Sequence, residues 1–401
     1  MSNTILCIAS YEKGHEFLRQ CKREGWRVIL LTSKSLQDKA HWPMESIDEI
    51  FYIQDVKHLW DMKDVIYGVS YMSRTEQIDR IVALDDYDVE RAANLREHLR
   101  VPGVGDTGAR YFRDKLAMRR AAAAAGIAVP KFVHILNYRK IAEFMNEVPP
   151  PYVLKPRLQA GAIGIRKIES PEELWHSVEE LGDEQSFYVL EKYVPGQVHH
   201  LDSIIYNGEV LLAVAHQYAI PPMEVAHEGR VFSTRTMIRG TEDEQALQKV
   251  NRDLLKTVGL QNGVSHTEFI KGRDDEQFYF LETSARVGGA HIVELVEAST
   301  GLNLWREWAR IETLSNGAKY ELPSHRADFG GLLVSLAKQE WPDLSGYDAP
   351  EVFWRLKKKH HAGVIVHSPD YDRVTHLLQE YTDRFYHDFF TSGPPQAPPG
   401  E

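Results

Sequence analysis

Length, composition and charge already limit what this chain can do. It has 401 residues, 43% hydrophobic and 26% charged, enough for roughly two to four domains with buried cores. Acidic residues number 58 against 47 Lys and Arg, and the net charge of -11 leaves no overall basic surface for nucleic acid or an anionic membrane.

The cysteines and the N-terminal residues favour a cytoplasmic protein. The two cysteines, Cys7 and Cys21, have no spacing typical of a zinc site or a disulfide framework, which fits a reducing cytosol. The first residues, MSNTILCIAS, lack the basic lead of a signal peptide. No stretch approaches the roughly 20 apolar residues that span a bilayer.

The first hundred or so residues have the pattern of a doubly wound α/β domain. Apolar runs at Thr4–Ala9, Arg27–Leu31 and Ile78–Leu84 alternate with helical stretches, as in parallel βαβ units. The turn after the first run contains one glycine, Gly14, so it has neither the dinucleotide fingerprint nor a P-loop. A dinucleotide-dependent dehydrogenase and a P-loop enzyme are therefore disfavoured.

From Phe112 onward the pattern changes to that of an α+β module. A helix rich in Ala and Arg is followed by short strands and helices up to the strand at 187–194. Asn207-Gly208, between two apolar strands, predicts a two-residue hairpin. After about Leu322 come further strands and an amphipathic helix, and the Pro- and Gly-rich residues 393–401 predict a disordered tail.

The most informative pair of residues is Glu268 and Glu282. The turn-like segment Lys271–Glu276 separates their strands, and a hairpin centred there places both carboxylates on one face and at one end. Two such carboxylates can bind Mg²⁺ together with phosphate oxygens. The alternative is a hairpin with two solvated acids.

Two lysines precede this pair in the chain. Lys155 ends a strand and is followed by a loop in which Gly161 and Gly164 allow backbone N–H groups to approach a polyphosphate. Lys115 stands at the head of a helix. Each lysine alone is more often a surface charge, but a strand-end lysine before a glycine loop, with an acidic hairpin downstream, favours a nucleotide site.

Two further elements complete the pattern. The strand Leu190–Val194 can offer backbone groups and an apolar wall to an adenine, although a core strand is the alternative interpretation. Arg286, four residues after Glu282, can clamp a carboxylate or a transferring phosphoryl group with two hydrogen bonds, unless it is a surface residue.

Five motifs in order resemble those of the ATP-grasp superfamily of ADP-forming carboxylate ligases, in particular its biotin carboxylase-like and L-amino acid ligase-like members. They are RDKLAMRRAAAAAGIAVPKF, YVLKPRLQAGAIGI, LEKYVPGQVHHLDS, HTEFI and FLETSARVGGAHI. The resemblance implies a mixed α/β and α+β fold: a pre-ATP-grasp α/β domain at 1–111, an ATP-grasp region at 112–321 with a mobile lid at about 129–190, and a C-terminal α/β subdomain at 322–392.

The resemblance also implies roles for individual residues. The implied nucleotide-binding residues are Lys115, Lys155, Gly161, Gly164, Glu191, Lys192, Tyr193 and Val194, with His199 and Asp202 on the ribose side. The implied metal ligands are Glu268, Glu282 and Ser284, and Arg286 is the implied catalytic residue.

The chain departs from the family pattern at two positions. Ser284 stands where the family often has Asn, and its hydroxyl is expected to bind the metal more weakly or through water. Ala162 stands where the phosphate loop often has Ser, which removes one hydrogen bond to phosphate. Neither change removes a charge, so the chain is expected to be an active enzyme.

The resemblance implies an ADP-forming ligase that activates a carboxylate as an acylphosphate for attack by an amine, joining amino acids or a small acid and an amine. Its expected cofactors are ATP and Mg²⁺, with Mn²⁺ as the alternative metal. Its expected partners are these small molecules, with no nucleic acid and no membrane, and the resemblance is compatible with a homodimer. Carboxyphosphate-type carboxylation, kinase-like transfer and a non-catalytic nucleotide-binding protein remain alternatives.

The substrate itself is not identified by these motifs. Its binding residues are expected in the poorly patterned stretch 216–239, which includes Tyr218 and Arg235, and at 286–291. The histidines, such as His199, His200, His216 and His291, have no metal-binding spacing, and most are interpreted as structural or surface residues.

Overall fold

The first sheet of the protein is parallel. The computed structural model describes residues 3–161, 163–228, 230–315 and 317–392, so Ala162 and the predicted tail at 393–401 lie outside the described residues. Its strands run in the order β3-β2-β1-β6, and the pairs β1–β2, β2–β3 and β1–β6 are all parallel. The elements of this part are β1 (Thr4–Ala9), α1 (His15–Arg23), β2 (Arg27–Ser33), β3 (Glu49–Ile53), β4 (Asp55–Val56), β5 (Leu59–Trp60), α2 (Met62–Met72), β6 (Arg80–Ala83), α3 (Val89–Leu99), α4 (Asp106–Ala109) and α5 (Lys115–Ala124).

Both faces of this sheet are buried, which explains why its strands are continuous apolar runs. Leu6 and Ile8 pack on one side with residues of α2 and α3, while Cys7 and Leu30 belong to a cluster on the other side. Both cysteines are buried and unbonded. The α/β nature of the N-terminal part is confirmed.

The second sheet is small and antiparallel, in the order β7-β10-β8-β9. Helices cover one face of it, and its core includes Tyr152, Leu154 and Leu190. Its elements are β7 (Phe132–His134), α6 (Tyr138–Glu147), β8 (Tyr152–Pro156), β9 (Arg166–Ile168), α7 (Pro171–Leu181) and β10 (Tyr188–Lys192).

The third sheet has eight strands in the order β15-β14-β11-β12-β13-β16-β18-β17. Its strands are β11 (Gly196–Tyr206), β12 (Glu209–Tyr218), β13 (Phe232–Thr236), β14 (Gly263–Gly272), β15 (Phe278–Ser284), β16 (Phe329–Leu336), β17 (Val352–Arg355) and β18 (His361–Ser368). Its helices are α8 (Pro222–Glu228), α9 (Glu242–Val258), α10 (Ile292–Thr300), α11 (Leu304–Glu312) and α12 (Tyr371–Asp388).

The C-terminal strands continue the large sheet, because β13 pairs with β16 from Phe232↔Val334 to Arg235↔Gly331. The expected subdomain at 322–392 therefore has no separate sheet within the described residues, although the domain boundaries themselves stay predictions. The hairpin between β11 and β12 turns at Asn207 and Gly208, which both have positive φ, 52° and 78°, as a type I′ turn requires.

One buried cluster joins the first sheet to the third. It extends from Cys7 and Leu30 through Phe17 of α1 to Trp308 of α11 and Val264 of β14. The Trp26 indole also donates a hydrogen bond to the Thr313 carbonyl at 2.9 Å. This packing fixes the carboxyl end of β6 near the large sheet. Among the described helices, none is both long and apolar enough to cross a membrane.

Candidate active site

A cavity of about 150 Å³ lies between the small sheet and the large sheet. Its wall is largely apolar and includes Val153, Val198, Ile270 and Leu281, which suits the flat ring of a base. Residues far apart in the sequence meet at this wall, including Lys115, Lys155, Gly161, Glu191, Lys192, Tyr193, Val194, Glu268 and Glu282. Most of the predicted nucleotide and metal residues therefore share one cavity.

The two glutamates are directly paired across the hairpin. Glu268 of β14 lies opposite Glu282 of β15, with a bulge just after Glu268, so both side chains point to the same face. Glu268 accepts a hydrogen bond from the Tyr218 hydroxyl at 2.7 Å. Burial alone would raise the pKa of Glu268, but His266, Tyr218 and the charge of Lys115 lower it, so this carboxylate is anionic and ready to bind a cation.

Lys115 occupies the place beside these carboxylates. Its Nζ lies 2.9 Å from Glu282 Oε2 and donates to the Gln159 carbonyl at 2.7 Å. The side chain is held there because Asp114 caps the start of α5 through the Leu116 N–H at 3.0 Å. Lys115 thus connects Glu282 to the loop after β8.

That loop requires its glycines. Gly161 and Gly164 have φ of 65° and 71°, a region that other residues adopt only with strain. A Cβ at Gly164 would also stand 2.9 Å from Pro156 Cγ. Arg113 donates to the Leu158 carbonyl at 2.5 Å, so the base of the loop is anchored while Gly161 lines the cavity.

Glu191 lines the cavity, and its carboxylate also forms ion pairs with two buried cations. Its oxygens lie 2.8 Å from Arg119 Nε and 2.8 Å from Lys155 Nζ. Burial opposes the ionised form, but the charges of Arg119 and Lys155 lower the pKa of Glu191 to about 2. The carboxylate therefore positions Lys155 at the end of β8, a role that the sequence alone did not reveal.

This arrangement gives a stability prediction. Glu191→Gln leaves Arg119 and Lys155 buried without a counter-charge, and we expect the free energy of unfolding to fall by about 3–5 kcal/mol. Glu180→Gln removes the partner of an exposed ion pair with Arg166, so we expect at most about 1 kcal/mol for that control. Urea unfolding of both variants checks this, and equal losses would contradict a structural role for Glu191.

Asp86 joins the site from the parallel sheet. It follows β6, at the carboxyl end of the strands, and accepts hydrogen bonds from the Ser284 hydroxyl and the Arg286 guanidinium. Burial alone would raise its pKa, but the charges of Arg286 and Arg113 hold the pKa of Asp86 well below its usual range. The only sequence signal was the polar segment DDYD after an apolar run, the place where open parallel sheets bind ligands.

The expectation for His199 does not fit the structure. Side chains alternate along β11, so Val198 lines the cavity while His199 points to the other face. There its ring packs edge-on against Phe278, its Nδ1 lies 3.0 Å from the Gln197 carbonyl, and burial lowers its pKa to about 4. His199 is thus packed in the core and does not line the cavity.

Asp202 likewise lies outside the lining of this cavity. It is fully buried, and its carboxylate lies 2.8 Å from His200 Nδ1 and 2.9 Å from His266 Nδ1. His216 stacks on the His200 ring at 4.6 Å and lies 3.4 Å from the same carboxylate. Asp202 is not one of the described residues that line the cavity.

These residues form a polar cluster behind the metal carboxylates. His266 Nε2 lies 3.6 Å from Glu268 Oε1, and although burial opposes its charge, Asp202 and Glu268 raise the pKa of His266 to about 10. The ligand atoms of His200, Asp202 and His266 lie within 4.8 Å of one another, close enough for a metal ion. Their mutual hydrogen bonds already satisfy Asp202, so the geometry favours a cluster that orients Glu268.

The two residues expected in the substrate region, Tyr218 and Arg235, have different hydrogen-bond partners but line one cavity. Tyr218 bonds to Glu268, whereas Arg235 donates to the Thr375 hydroxyl of α12 at 2.8 Å and lies over the Tyr371 ring. Both line a second cavity of about 570 Å³ beside α12. His291, also in an expected substrate segment, has φ of 68° and its Nδ1 lies 3.6 Å from Glu294.

Comparison with known proteins gives a consistent result. Residues 148–294 match the family profile described as the ATP-grasp domain. The L-arginine-specific L-amino acid ligase of Bacillus subtilis is 23% identical over 274 residues, which are 66% of this chain and 63% of that protein. Alanine–anticapsin ligase of Bacillus subtilis strain 168 is 22% identical over 317 residues, 74% of this chain and 65% of that protein. The chain thus spans slightly less than two thirds of these relatives.

Solved structures share the fold over nearly the whole chain. The L-amino acid ligase from Bacillus licheniformis has a TM-score of 0.75 at 16% identity. The superposition covers 97% of this chain and 98% of the ligase chain. The biotin carboxylase–β,γ-ATP complex from Campylobacter jejuni has a TM-score of 0.69 at 15% identity, covering 98% of this chain and 92% of its own. The chain therefore shares its overall fold with these structures.

Proposed function

We propose that this chain, which carries an ATP-grasp domain, is an ADP-forming ligase that joins a carboxylic acid to an amine. The observation that carries the proposal is the paired glutamates Glu268 and Glu282, facing Lys115 in one cavity with Lys155. Two carboxylates and two lysines at the end of an apolar cavity suit a nucleoside triphosphate with a divalent cation. The names of similar proteins, amino acid ligases among them, support the reaction class.

The residues present fit ATP and Mg²⁺. Glu268 and Glu282 would hold the metal, because Mg²⁺ prefers carboxylate oxygens and keeps its remaining positions for phosphate and water. When bound, Mg²⁺ would neutralise negative charge on the β and γ phosphates. Ser284 stays a predicted weak ligand, and the same oxygen donors would accept Mn²⁺. The hinge from Glu191 to Val194 would receive the adenine, since these four residues line the apolar wall.

The proposed reaction has two steps. A carboxylate oxygen attacks the γ phosphorus, the bond to the β phosphate breaks, and ADP leaves with its electron pair. The amine then attacks the acyl carbon of the acylphosphate, loses a proton, and phosphate departs as the amide forms. Lys115, Lys155 and Arg286 would stabilise the negative charge that spreads over the transferring group.

The two lysines differ in what nucleotide binding requires of their ion pairs. Lys115 now pairs with Glu282, and it would turn to phosphate once the carboxylate binds a metal ion. Lys155 needs no such exchange, because Glu191 holds it from behind and leaves it at the cavity wall. The loop with Gly161 would close over the phosphates and exclude water, which would otherwise hydrolyse an acylphosphate.

Product analysis tests the function. Incubation with MgATP and pairs of amino acids should release ADP and phosphate together with a condensed product visible by mass spectrometry. Release of ADP only with bicarbonate would favour carboxylation through carboxyphosphate, and a phosphorylated product would favour kinase-like transfer. ATP binding without turnover on any acid would leave the non-catalytic alternative. A cytoplasmic location and a homodimer stay predictions.

Lid closure is a further prediction. The segment from about Val129 to Leu190 contains the small sheet, and we expect it to close when nucleotide binds, because its own loop with Gly161 and Gly164 would then cover the phosphates. Hydrogen exchange with and without a non-hydrolysable ATP analogue and Mg²⁺ measures this. Amides of 129–190 should become more protected, while those of α2 should not change. Equal protection of the segment in both states would contradict closure.

A further inference from the structure

The ion pair between Asp86 and Arg286 closes a small cavity beside the metal carboxylates. Both side chains line this cavity, together with Lys115, Glu282 and Ser284. The two charged groups come from opposite parts of the fold, Asp86 from the loop after β6 and Arg286 from the loop after β15. Their exposed side-chain fractions are only 9% and 14%, so water contributes little to balancing either charge.

The pair lies where a substrate carboxylate would meet the nucleotide. Glu282 separates Arg286 from the larger cavity, and Glu282 lines both cavities. A carboxylate bound by Arg286 would therefore stand next to the metal carboxylates and the phosphates. Arg286 is suited to this, since its guanidinium can donate two parallel hydrogen bonds to a carboxylate.

A carboxylate that binds Arg286 has to displace Asp86. The cavity holds about 30 Å³, close to the volume of one water molecule, so a substrate enters only after the two side chains separate. A simple carboxylic acid would then satisfy Arg286 but leave Asp86 with the Ser284 hydroxyl and without its ion-pair partner, which is costly for a buried carboxylate. A zwitterion satisfies both groups, because its ammonium replaces the guanidinium beside Asp86.

The surroundings of Asp86 reinforce this charge pattern. Asp85 lies on the same turn, is fully buried, and contributes its negative charge to the environment of Arg286. Tyr87 follows, with its hydroxyl 3.4 Å from Gln159 of the phosphate loop and Arg113 over its ring. The turn after β6 therefore places the Asp86 carboxylate beside Arg286 and contacts the loop after β8.

We propose that Asp86 binds the α-ammonium group of the amino acid whose carboxylate is activated, while Arg286 binds that carboxylate. The inference rests on the proposed ligase function and narrows its acyl substrate to α-amino acids. In the empty protein the two side chains pair with each other, and the bound zwitterion replaces that pair. Asp86 is thus the residue that discriminates an amino acid from the same acid without its amino group.

The test compares matched acids with a trap for the acylphosphate. Hydroxylamine serves as the nucleophile, so the natural amine need not be known. Hydroxamate formation is measured with alanine and with propionate, and then with larger amino acids and the matching acids that lack the amino group. We expect the wild-type protein to prefer the amino acid by at least about 100-fold in kcat/KM. In Asp86→Asn the ratio of kcat/KM for alanine to kcat/KM for propionate should fall to within about threefold.

Asp88→Asn is the matched control. Asp88 is a buried carboxylate in the same turn, but its partners are the Ser10 N–H at 2.7 Å and Arg91, so it does not line the reaction cavity. It should keep the preference for the amino acid. If Asp86→Asn keeps that preference, the inference is overturned. It is also overturned if both variants lose the preference equally, because such a loss indicates a purely structural effect.

Equilibrium binding separates this inference from the ligase proposal. Calorimetry with alanine and with propionate, in the presence of Mg²⁺ and a non-hydrolysable ATP analogue, needs no turnover. If the wild-type protein forms no hydroxamate yet binds amino acids through Asp86, the ligase proposal fails and the binding site stands. If it makes hydroxamate from both acids equally well, the ligase proposal stands and the role of Asp86 is refuted.

Discussion

Glu282→Ala should abolish turnover. One remaining carboxylate, Glu268, cannot hold Mg²⁺ firmly against two phosphates, and a metal ion contributes several kcal/mol to charge stabilisation in phosphoryl transfer. A loss of about 4 kcal/mol corresponds to roughly a thousandfold in rate. Steady-state ADP release over a range of Mg²⁺ concentrations measures the effect.

Glu268→Ala should have nearly the same effect, because Glu268 is paired with Glu282 across β14 and β15. Glu276→Gln is the control within the same hairpin. Glu276 is exposed in the turn, and its ion pair with Lys271 is long at 4.0 Å. It should keep full turnover. Wild-type turnover of Glu282→Ala at ordinary Mg²⁺ would show that the metal is bound elsewhere.

Arg286→Lys should lower turnover by orders of magnitude while ATP affinity stays within about tenfold, roughly 1.4 kcal/mol. Lysine keeps the charge but loses the bidentate fork that a carboxylate or a transferring phosphoryl group needs. ATP affinity should persist because the nucleotide cavity is lined by Lys115, Lys155 and the hinge, and Arg286 does not line it. Calorimetric titration with ATP and single-turnover ADP formation give the two quantities separately.

The control for this variant is Arg273→Lys in the exposed turn between β14 and β15. It should change neither quantity. If Arg286→Lys also leaves both unchanged, Arg286 takes no part in the reaction and the substrate carboxylate is bound by another group. If both fall together, Arg286 acts mainly in nucleotide binding, which contradicts the role given to it.

Local patterns in the sequence predicted much of the local geometry of the candidate site. Asn207-Gly208 predicted its hairpin because positive φ at two successive residues is a strictly local requirement. Glu268 and Glu282 were predicted to meet because a turn and the two-residue period of a strand determine which side chains share a face. The glycine loop with Gly161 and Gly164 was predicted from the same kind of local constraint. The assignment of most other site residues depended on the family resemblance.

Side-chain partners across the fold could not be predicted in this way. The resemblance pointed to His199, but whether residue 198 or 199 faces the cavity depends on the register between β11 and β14, where a shift of one residue reverses every side chain. Asp202 was expected near ribose, and only packing showed it enclosed by His200 and His266.

Sequence alone thus determined the elements, the hairpin carboxylates and the glycine loop, because each depends on neighbours along the chain. Tertiary structure decided the rest: Asp86 meets Arg286 across 200 residues, and Glu191 collects Arg119 and Lys155 from two other elements. These contacts depend on how the sheets pack, which brings together charges that carry no shared local pattern. A buried charge requires its counter-charge wherever the fold supplies one, and only the folded chain reveals which residue that is.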